Sequence, residues 1–156
     1  MAPLCLGDLA PKFTLDATGN QTISLSDYIG KKNIVLYFYP KDMTSGCTVE
    51  ACNFRDNLNR IQTADTVVLG VSKDSIKSHE KFREKEGLTF DLLSDPEGKV
   101  CELYNVWKEK SMYGRKYFGI ERSTFLIGKD GKIKALWRNV KVPGHVDDVL
   151  VQIAAL

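Results

Sequence analysis

Two cysteines, Cys47 and Cys52, lie five residues apart in a segment that suits a nucleophilic thiol. Cys47 follows residues 44–46, Thr-Ser-Gly, which suit the start of a helix because Thr or Ser can cap it and Gly permits close backbone approach. An ordinary thiol is mostly protonated at neutral pH, whereas the thiolate is the nucleophile. The free N–H groups and positive dipole end at a helix start favour an anionic sulfur. The segment therefore indicates thiol chemistry at Cys47, with a buried, inert cysteine as the alternative.

The spacing of the two cysteines limits how they can react with each other. On one helix, five residues correspond to a rise of about 7.5 Å and a rotation of about 140°. The sulfurs of Cys47 and Cys52 then point to different faces, and the Cα separation exceeds the limit of about 7 Å for a disulfide. The pair can bond only if the helix unwinds, which makes it a two-state switch and not a structural cross-link.

The elements that must position the cysteines are predicted from apolar patterning. Continuous apolar runs predict strands buried on both faces at 34–39, 66–71 and 123–127. Helical spacing predicts helices at 47–61, 75–85, 97–106 and 145–155, while residues 90–93 are interpreted as a short connection. Asp130-Gly131 predicts a tight primed turn between 125–127 and 133–137.

This order of elements, preceded by a pair of N-terminal strands, predicts an α/β protein. Two parallel βαβ crossovers joined to an antiparallel hairpin give a mixed central sheet flanked by helices, with an N-terminal β extension. The length of 156 residues fits one domain, residues 1–156, with a core of its own.

Composition excludes several classes of function. The chain has 22 Lys and Arg against 20 Asp and Glu, so a net charge of +2 predicts neither nucleic acid nor a membrane surface as a partner. The apolar run at 34–39 is too short to span a membrane, and no apolar signal segment is found near the N-terminus. Four cysteines are too few for a disulfide scaffold and too scattered for a zinc site. A cytoplasmic protein without a metal is expected.

The pattern Pro40-x-x-x-Thr44-x-x-Cys47, placed after an apolar strand, resembles the active-site signature of the peroxiredoxins. The Cys-x4-Cys spacing is similar to the branch called bacterioferritin comigratory protein, or peroxiredoxin Q. Further similarities extend over nearly the whole chain, at residues 7–13, 37–42, 70–72, 91–95 and 122–127. The resemblance implies a thioredoxin-like fold and a thiol-dependent peroxidase for hydrogen peroxide and organic hydroperoxides, with no metal, haem or flavin.

The resemblance also implies roles for single residues. Cys47 would be the peroxidatic cysteine, Thr44 would orient its sulfur and the substrate, and Pro40 would shield the site from water. Arg122 would stabilise the thiolate and polarise the O–O bond, because a guanidinium can contact both sulfur and peroxide. Many relatives have proline where this chain has Ser45, so the first helical turn is expected to differ in how readily it unwinds.

The remaining implied roles concern the rest of the cycle. Glu50, one turn after Cys47, either holds the active-site arginine or is a plain surface carboxylate. Cys52 resembles the resolving cysteine, so the expected cycle passes from sulfenic acid to a Cys47–Cys52 disulfide and back to the dithiol. Thioredoxin, with glutaredoxin as a variant, would be the electron donor. A monomer is expected, since this disulfide needs no second subunit.

Five other features are predicted to have structural and not catalytic roles. Cys101 is predicted to be a packed thiol and Cys5 an incidental one. His79 and His145 are expected in helix-surface or capping roles. The aromatic segment 107–118 is interpreted as packing, with the rim of a peroxide pocket as the alternative.

Two other functions compete with a peroxidase. A thioredoxin-type disulfide reductase requires Cys-x-x-Cys at the helix start, and Glu50 stands where the second cysteine would be. A redox sensor or holdase would use the same helix unwinding as its output, and nothing in the sequence excludes it as an added role. Dedicated sensing would predict slow turnover and a partner interface, neither of which the sequence shows.

Overall fold

The computed structural model describes residues 3–156, so residues 1 and 2 of the predicted domain lie outside the described part. The strands are β1 Thr14–Ala17, β2 Gln21–Ser24, β3 Asn33–Phe38, β4 Thr66–Ser72, β5 Asp91–Ser94, β6 Trp107–Met112, β7 Arg115–Ile120, β8 Ser123–Ile127 and β9 Ile133–Trp137. The helices are α1 Ser45–Asp56, α2 Leu58–Thr63, α3 Ile76–Glu86, α4 Lys99–Leu103 and α5 His145–Ala154.

Seven of these strands form one mixed sheet in the order β2-β1-β5-β4-β3-β8-β9. The β3, β4 and β5 strands are parallel, β8 pairs antiparallel with β3, and β9 pairs antiparallel with β8. The β6 and β7 strands pair with each other as a separate hairpin. The predicted N-terminal strand pair, parallel crossovers and mixed sheet are confirmed.

The central strand β3 is buried on both faces, as its unbroken apolar run predicts. Ile34, Leu36 and Phe38 belong to a core shared with α4 and the N-terminal strands. Val35 and Tyr37 belong to a second core shared with α1, α2, α3 and α5. Alternate side chains of one strand therefore bind the two helical layers to the sheet.

The interpretation of residues 90–93 as a connection is wrong, because β5 occupies 91–94. Leu92 and Leu93 are fully buried on opposite faces, and β5 pairs with β4 on one side and β1 on the other. Its four residues are too few for a periodicity to show in the sequence.

Local backbone geometry shortens or divides several predicted elements. The 47–61 helix is two helices, broken at Asn57, and the 97–106 helix is reduced to α4, because Gly98 and Asn105 adopt positive φ angles. Gly131 alone of the Asp130-Gly131 pair has a positive φ, so the hairpin is present but its connection is not the predicted primed turn.

None of the helices in residues 3–156 has the length and apolar character needed to cross a bilayer.

Gly70 in β4 is required by the packing of Tyr37, and this contact yields a stability prediction. A methyl carbon at position 70 would lie 2.9 Å from the Tyr37 ring and from Leu92. Gly70→Ala is expected to lower the free energy of unfolding by about 1–3 kcal/mol, because the core must shift to admit the methyl group. Urea unfolding measures the change. Gly119→Ala, where the added carbon makes only ordinary contacts at 3.5 Å, is the matched control. Equal stability of the two variants would contradict this account.

Candidate active site

Cys47 lies in the first turn of α1, where the chain leaves the carboxyl end of β3. This is the sheet edge at which α/β proteins commonly bind ligands. Its side chain is only 2% exposed. Thr44 occupies the N-cap position, but its hydroxyl donates to the Lys41 carbonyl at 2.9 Å and does not accept a helix N–H. The expected capping by a Thr44 or Ser45 side chain is therefore not observed, since Ser45 is already the first residue of the helix.

Arg122, immediately before β8, joins Cys47 to Glu50. Its Nη2 donates to Cys47 Sγ at 3.3 Å, and its Nη1 donates to Glu50 Oε1 at 2.6 Å. Gly46 keeps space for this guanidinium, since a Cβ there would lie 3.3 Å from Arg122 Nη2. The rigid fork of arginine thus contacts the sulfur and a carboxylate at once. The positively charged guanidinium of Arg122 therefore lies beside the Cys47 sulfur, where it can pair with an anionic thiolate.

Glu50 is fully buried, so its interpretation as a surface carboxylate is wrong. Its Oε1 accepts from Arg122, whereas Oε2 has no hydrogen-bond partner among the described residues. Burial raises the pKa of Glu50 to about 7, and the nearby Arg122 charge opposes that rise. Glu50 therefore changes charge near neutral pH, while the guanidinium stays charged.

A cavity of about 440 Å³ adjoins this arrangement. Pro40, Arg122, Lys110 and Tyr117 are among its lining residues, whereas Cys47 and Thr44 are not. Burial, and then the Arg122 charge, lower the pKa of Lys110. Arg122 therefore links this cavity to Cys47, because it lines the cavity and also contacts the sulfur. A larger cavity, of about 940 Å³, lies at the opposite edge of the sheet and includes none of the predicted site residues.

The aromatic segment 107–118 is mostly an exposed hairpin. Tyr113 is 98% exposed and Phe118 is 60% exposed, so the interpretation of this segment as packing is wrong for its outer part. Trp107 stacks against Phe118 with ring centroids 6.4 Å apart. Tyr117 is the aromatic residue of the hairpin that lines the 440 Å³ cavity, which supports the pocket-rim alternative.

Cys52 lies on the same unbroken helix as Cys47 but contacts a different neighbour. It is half-buried, and its Sγ donates to Glu86 Oε1 at the end of α3, 3.7 Å away. Burial, together with the Glu86 and Asp56 carboxylates, raises the pKa of the Cys52 thiol against the lowering effect of Arg55. Since α1 is continuous from Ser45 to Asp56, the constraint derived from the spacing applies: bonding to Cys47 requires unwinding.

The other two cysteines have the environments predicted for them. Cys5, Cys47, Cys52 and Cys101 are all free thiols. Cys101 is fully buried, and burial followed by the Asp95 carboxylate raises its pKa far above the ordinary thiol value. Cys5 is exposed. Cys101 is therefore a packed, poorly reactive thiol.

Sequence reasoning missed a buried polar network centred on Asp42, in the loop before Cys47. Its carboxylate accepts hydrogen bonds from Tyr39 at 2.6 Å and Ser78 at 2.8 Å, and lies 2.7 Å from His79 Nδ1. His79 Nε2 donates to the Leu93 carbonyl at 2.9 Å. His79 is fully buried, so its predicted surface or capping role is wrong. The network ties the loop before Cys47 to α3 and β5.

One signal for this network was present in the sequence. Asp42 belongs to the segment Tyr37–Asp42 that carries the resemblance. Asp42, Asp74 and His79 also place potential ligand atoms within 4.8 Å of one another. These atoms are already engaged in hydrogen bonds within the protein.

His145 is likewise buried and does not lie on the helix surface. It is the first residue of α5, and its Nε2 lies 2.8 Å from Thr124 Oγ1. Burial lowers the pKa of His145 to about 4, so the ring is neutral near pH 7. It supports β8, the strand that follows Arg122.

Comparison with known proteins identifies the family of this chain. The family model of the AhpC/TSA family matches residues 6–136, and the chain therefore belongs to the AhpC/TSA family. A putative peroxiredoxin bcp from Coxiella burnetii is 52% identical over 145 residues, which are 93% of this chain and 95% of the relative. The peroxiredoxin Bcp of Escherichia coli K12 is 47% identical over 150 residues, 96% of each chain.

Solved structures give the same result. A peroxiredoxin Q mutant from Xylella fastidiosa matches with a TM-score of 0.93 and 43% identity, covering 99% of this chain and 98% of that one. A bacterioferritin comigratory protein from Xanthomonas campestris, studied for alkyl peroxide reduction, matches with a TM-score of 0.87 and 43% identity over 92% and 90% of the chains. These similarities confirm the thioredoxin-like fold. As a peroxiredoxin of the Bcp, or peroxiredoxin Q, type, the protein is a thiol-dependent peroxidase.

The buried carboxyl of Glu50 yields a pH prediction. Its folded pKa of about 7 exceeds the ordinary value of 4.5, so the folded protein binds more protons between these values and loses stability as the pH rises through them. Between pH 5 and pH 8, the wild type is expected to lose about 2–3 kcal/mol relative to Glu50→Gln, whose side chain does not titrate. Urea unfolding of both reduced proteins at each pH measures this difference. Parallel pH profiles would contradict it.

Proposed function

We propose that Cys47 is the peroxidatic cysteine and that Arg122 activates it. The observation that carries this proposal is the 3.3 Å contact between Arg122 Nη2 and Cys47 Sγ in a nearly water-free position. A guanidinium beside a buried sulfur stabilises the thiolate, and the first-turn N–H groups of α1 add to that effect. Glu50 holds the guanidinium in place through its 2.6 Å hydrogen bond.

The first step is nucleophilic attack on the peroxide. The Cys47 thiolate attacks the terminal peroxide oxygen, so that an S–O bond forms while the O–O bond breaks. Sulfur is oxidised by two electrons, and the departing alkoxide or hydroxide takes a proton from solvent. Arg122, already directed at the sulfur, stabilises the negative charge as it moves from sulfur to the leaving oxygen. The Thr44 hydroxyl orients the reactants, and Pro40, at the cavity wall, limits water access.

The second step forms a disulfide with Cys52. The first turns of α1 unwind, the Cys52 thiolate attacks the Cys47 sulfenic acid, an S–S bond forms and the S–O bond breaks. The hydroxide that leaves is protonated to water, which balances the proton lost by Cys52. A dithiol reductant of the thioredoxin type, or a glutaredoxin, then returns both cysteines to the reduced state.

The cavity supports hydrogen peroxide and small organic hydroperoxides as substrates. Its volume of about 440 Å³ exceeds what hydrogen peroxide needs, and Tyr117 provides an apolar surface beside the polar wall of Arg122 and Lys110. The Xanthomonas campestris relative was studied for alkyl peroxide reduction, which agrees with this breadth.

We further propose that residues 1–156 act as one domain, as a monomer, in the cytoplasm. The proposed disulfide lies within one helix, so the cycle needs no second subunit. Its recycling requires a reducing compartment. Sedimentation of the reduced and oxidised protein tests the monomer, and cell fractionation tests the location.

The roles of the two cysteines are tested by serine substitution. Cys47→Ser is expected to abolish peroxide consumption in an assay with thioredoxin and its reductase, because the nucleophile is lost. Cys52→Ser is expected to complete one turnover and then accumulate sulfenic and sulfinic acid at Cys47, which mass spectrometry detects. Cys101→Ser is the control and should turn over normally. Normal turnover by Cys52→Ser would refute the resolving assignment.

The role of Arg122 is tested by a substitution that keeps the charge. Arg122→Lys is expected to slow the reaction of Cys47 with peroxide by about 10- to 100-fold, because one ammonium cannot contact both Cys47 and Glu50 as the guanidinium fork does. Stopped-flow measurement of the first oxidation step gives the rate. Arg60→Lys, at an exposed position of α2, should leave the rate unchanged. If Arg122→Lys reacts at the wild-type rate, the proposed activation is wrong.

A further inference from the structure

The end of α3 holds the Cys52 side of α1 through two contacts that the peroxide reaction does not use. Cys52 Sγ donates to Glu86 Oε1 at 3.7 Å. Arg55, one turn further along α1, donates to the Glu86 backbone carbonyl. Glu86 is the last residue of α3, and Gly87 then ends the helix in the left-handed conformation. One residue of α3 therefore contacts both the thiol and the turn that follows it.

The charged groups around Cys52 favour its protonated form. Glu86 faces it from α3, and Asp56 and Arg55 face it from α1. Burial raises the pKa of the Cys52 thiol, the two carboxylates raise it further, and Arg55 offsets only part of this. A protonated thiol is a poor nucleophile. In the folded helix Cys52 is thus held away from Cys47, and its protonated form is favoured.

Unwinding of α1 changes both properties together. The movement that takes Cys52 towards Cys47 must break its contact with Glu86 and expose the sulfur to water. Away from the buried site and from the two carboxylates, the thiol loses its proton more readily. The thiolate, whose proton has passed to solvent, then attacks the sulfenic sulfur. The S–S bond forms, the S–O bond breaks, and the departing hydroxide takes a proton from solvent to become water.

We propose that Glu86 is a positioning residue that keeps the resolving cysteine inactive until α1 unwinds. This inference rests on the proposed role of Cys52. By holding the thiol, Glu86 sets the rate of disulfide formation and hence the share of Cys47 that a second peroxide molecule over-oxidises. Replacing Glu86 by its neutral isostere, Gln, should therefore speed the formation of the Cys47–Cys52 disulfide. It should also reduce the over-oxidation of Cys47.

Alkylation of Cys52 tests the inference without any peroxide. In a Cys5→Ser/Cys47→Ser background, iodoacetamide modification of the Cys52 peptide is followed by mass spectrometry from pH 6 to pH 10. Glu86→Gln keeps the size and a hydrogen-bond acceptor but removes the charge, so modification at pH 7 should become about three- to tenfold faster. Glu84→Gln, the same change at an exposed position of α3, should have no effect. Glu86→Asp, which keeps the charge, should stay closer to the wild type than Glu86→Gln does.

A second measurement separates this inference from the proposed function. With all cysteines present, one equivalent of peroxide is added and the products are quenched over time. Glu86→Gln should form sulfenic acid at the wild-type rate but the Cys47–Cys52 disulfide faster, with less sulfinic acid at high peroxide. Equal alkylation and equal disulfide rates in Glu86→Gln and Glu84→Gln would overturn the inference. Loss of sulfenic acid formation in Cys52→Ser would instead refute the proposed role of Cys47.

Discussion

The contact of one half-buried guanidinium with a buried thiol and a buried carboxyl is the constraint on which the geometry of this site depends. Arg122 reaches Cys47 Sγ and Glu50 Oε1 from the edge of β8, while both partners lie on α1. Buried charges are costly unless they are paired and hydrogen-bonded. A stable Arg122 therefore requires that β8 and α1 keep a fixed relative position, and the central strand β3 between them sets that position. The proposed catalytic chemistry and the relative position of β8 and α1 therefore involve the same contact.

A second buried set of polar groups holds the other side of the loop. Asp42 is bound by Tyr39, Ser78 and His79, and His79 is bound in turn to β5. The loop that precedes Cys47 thus has a rigid anchor, whereas the Cys52 end of α1 is held by half-buried contacts to α3. In the proposed cycle, this asymmetry suits a helix that holds Cys47 in place while the Cys52 end is released.

The sequence predicted the large features of the fold because they have strong periodic or compositional signals. The apolar run of β3 and the helical spacing of α3 were sufficient to locate both elements. The β5 strand was missed because four residues carry no periodicity, and its burial arises from β1 and β4, which are distant in sequence. The breaks at Asn57 and Gly98 follow from single backbone conformations that no pattern of apolar residues records.

The site was predictable only in part, for a related reason. Cys47 and Cys52 could be singled out from residue type and spacing alone. Arg122 was indistinguishable from the other basic residues without the family resemblance, because its proximity to Cys47 is created by strand order and not by spacing. Glu50 allowed two interpretations until its burial was known. His79 was misjudged because its partner, Asp42, lies 37 residues away and meets it only in the folded protein.

The hairpin of β6 and β7 lies outside the seven-stranded sheet yet contributes Lys110 and Tyr117 to the cavity beside Arg122. Its outer residues are mostly exposed, so they carry little of the core packing. Substitutions there can alter the shape and polarity of the cavity at small cost to the folding of the sheet that holds Cys47. The wall of the cavity and the packing of the sheet are therefore supplied by different parts of the fold.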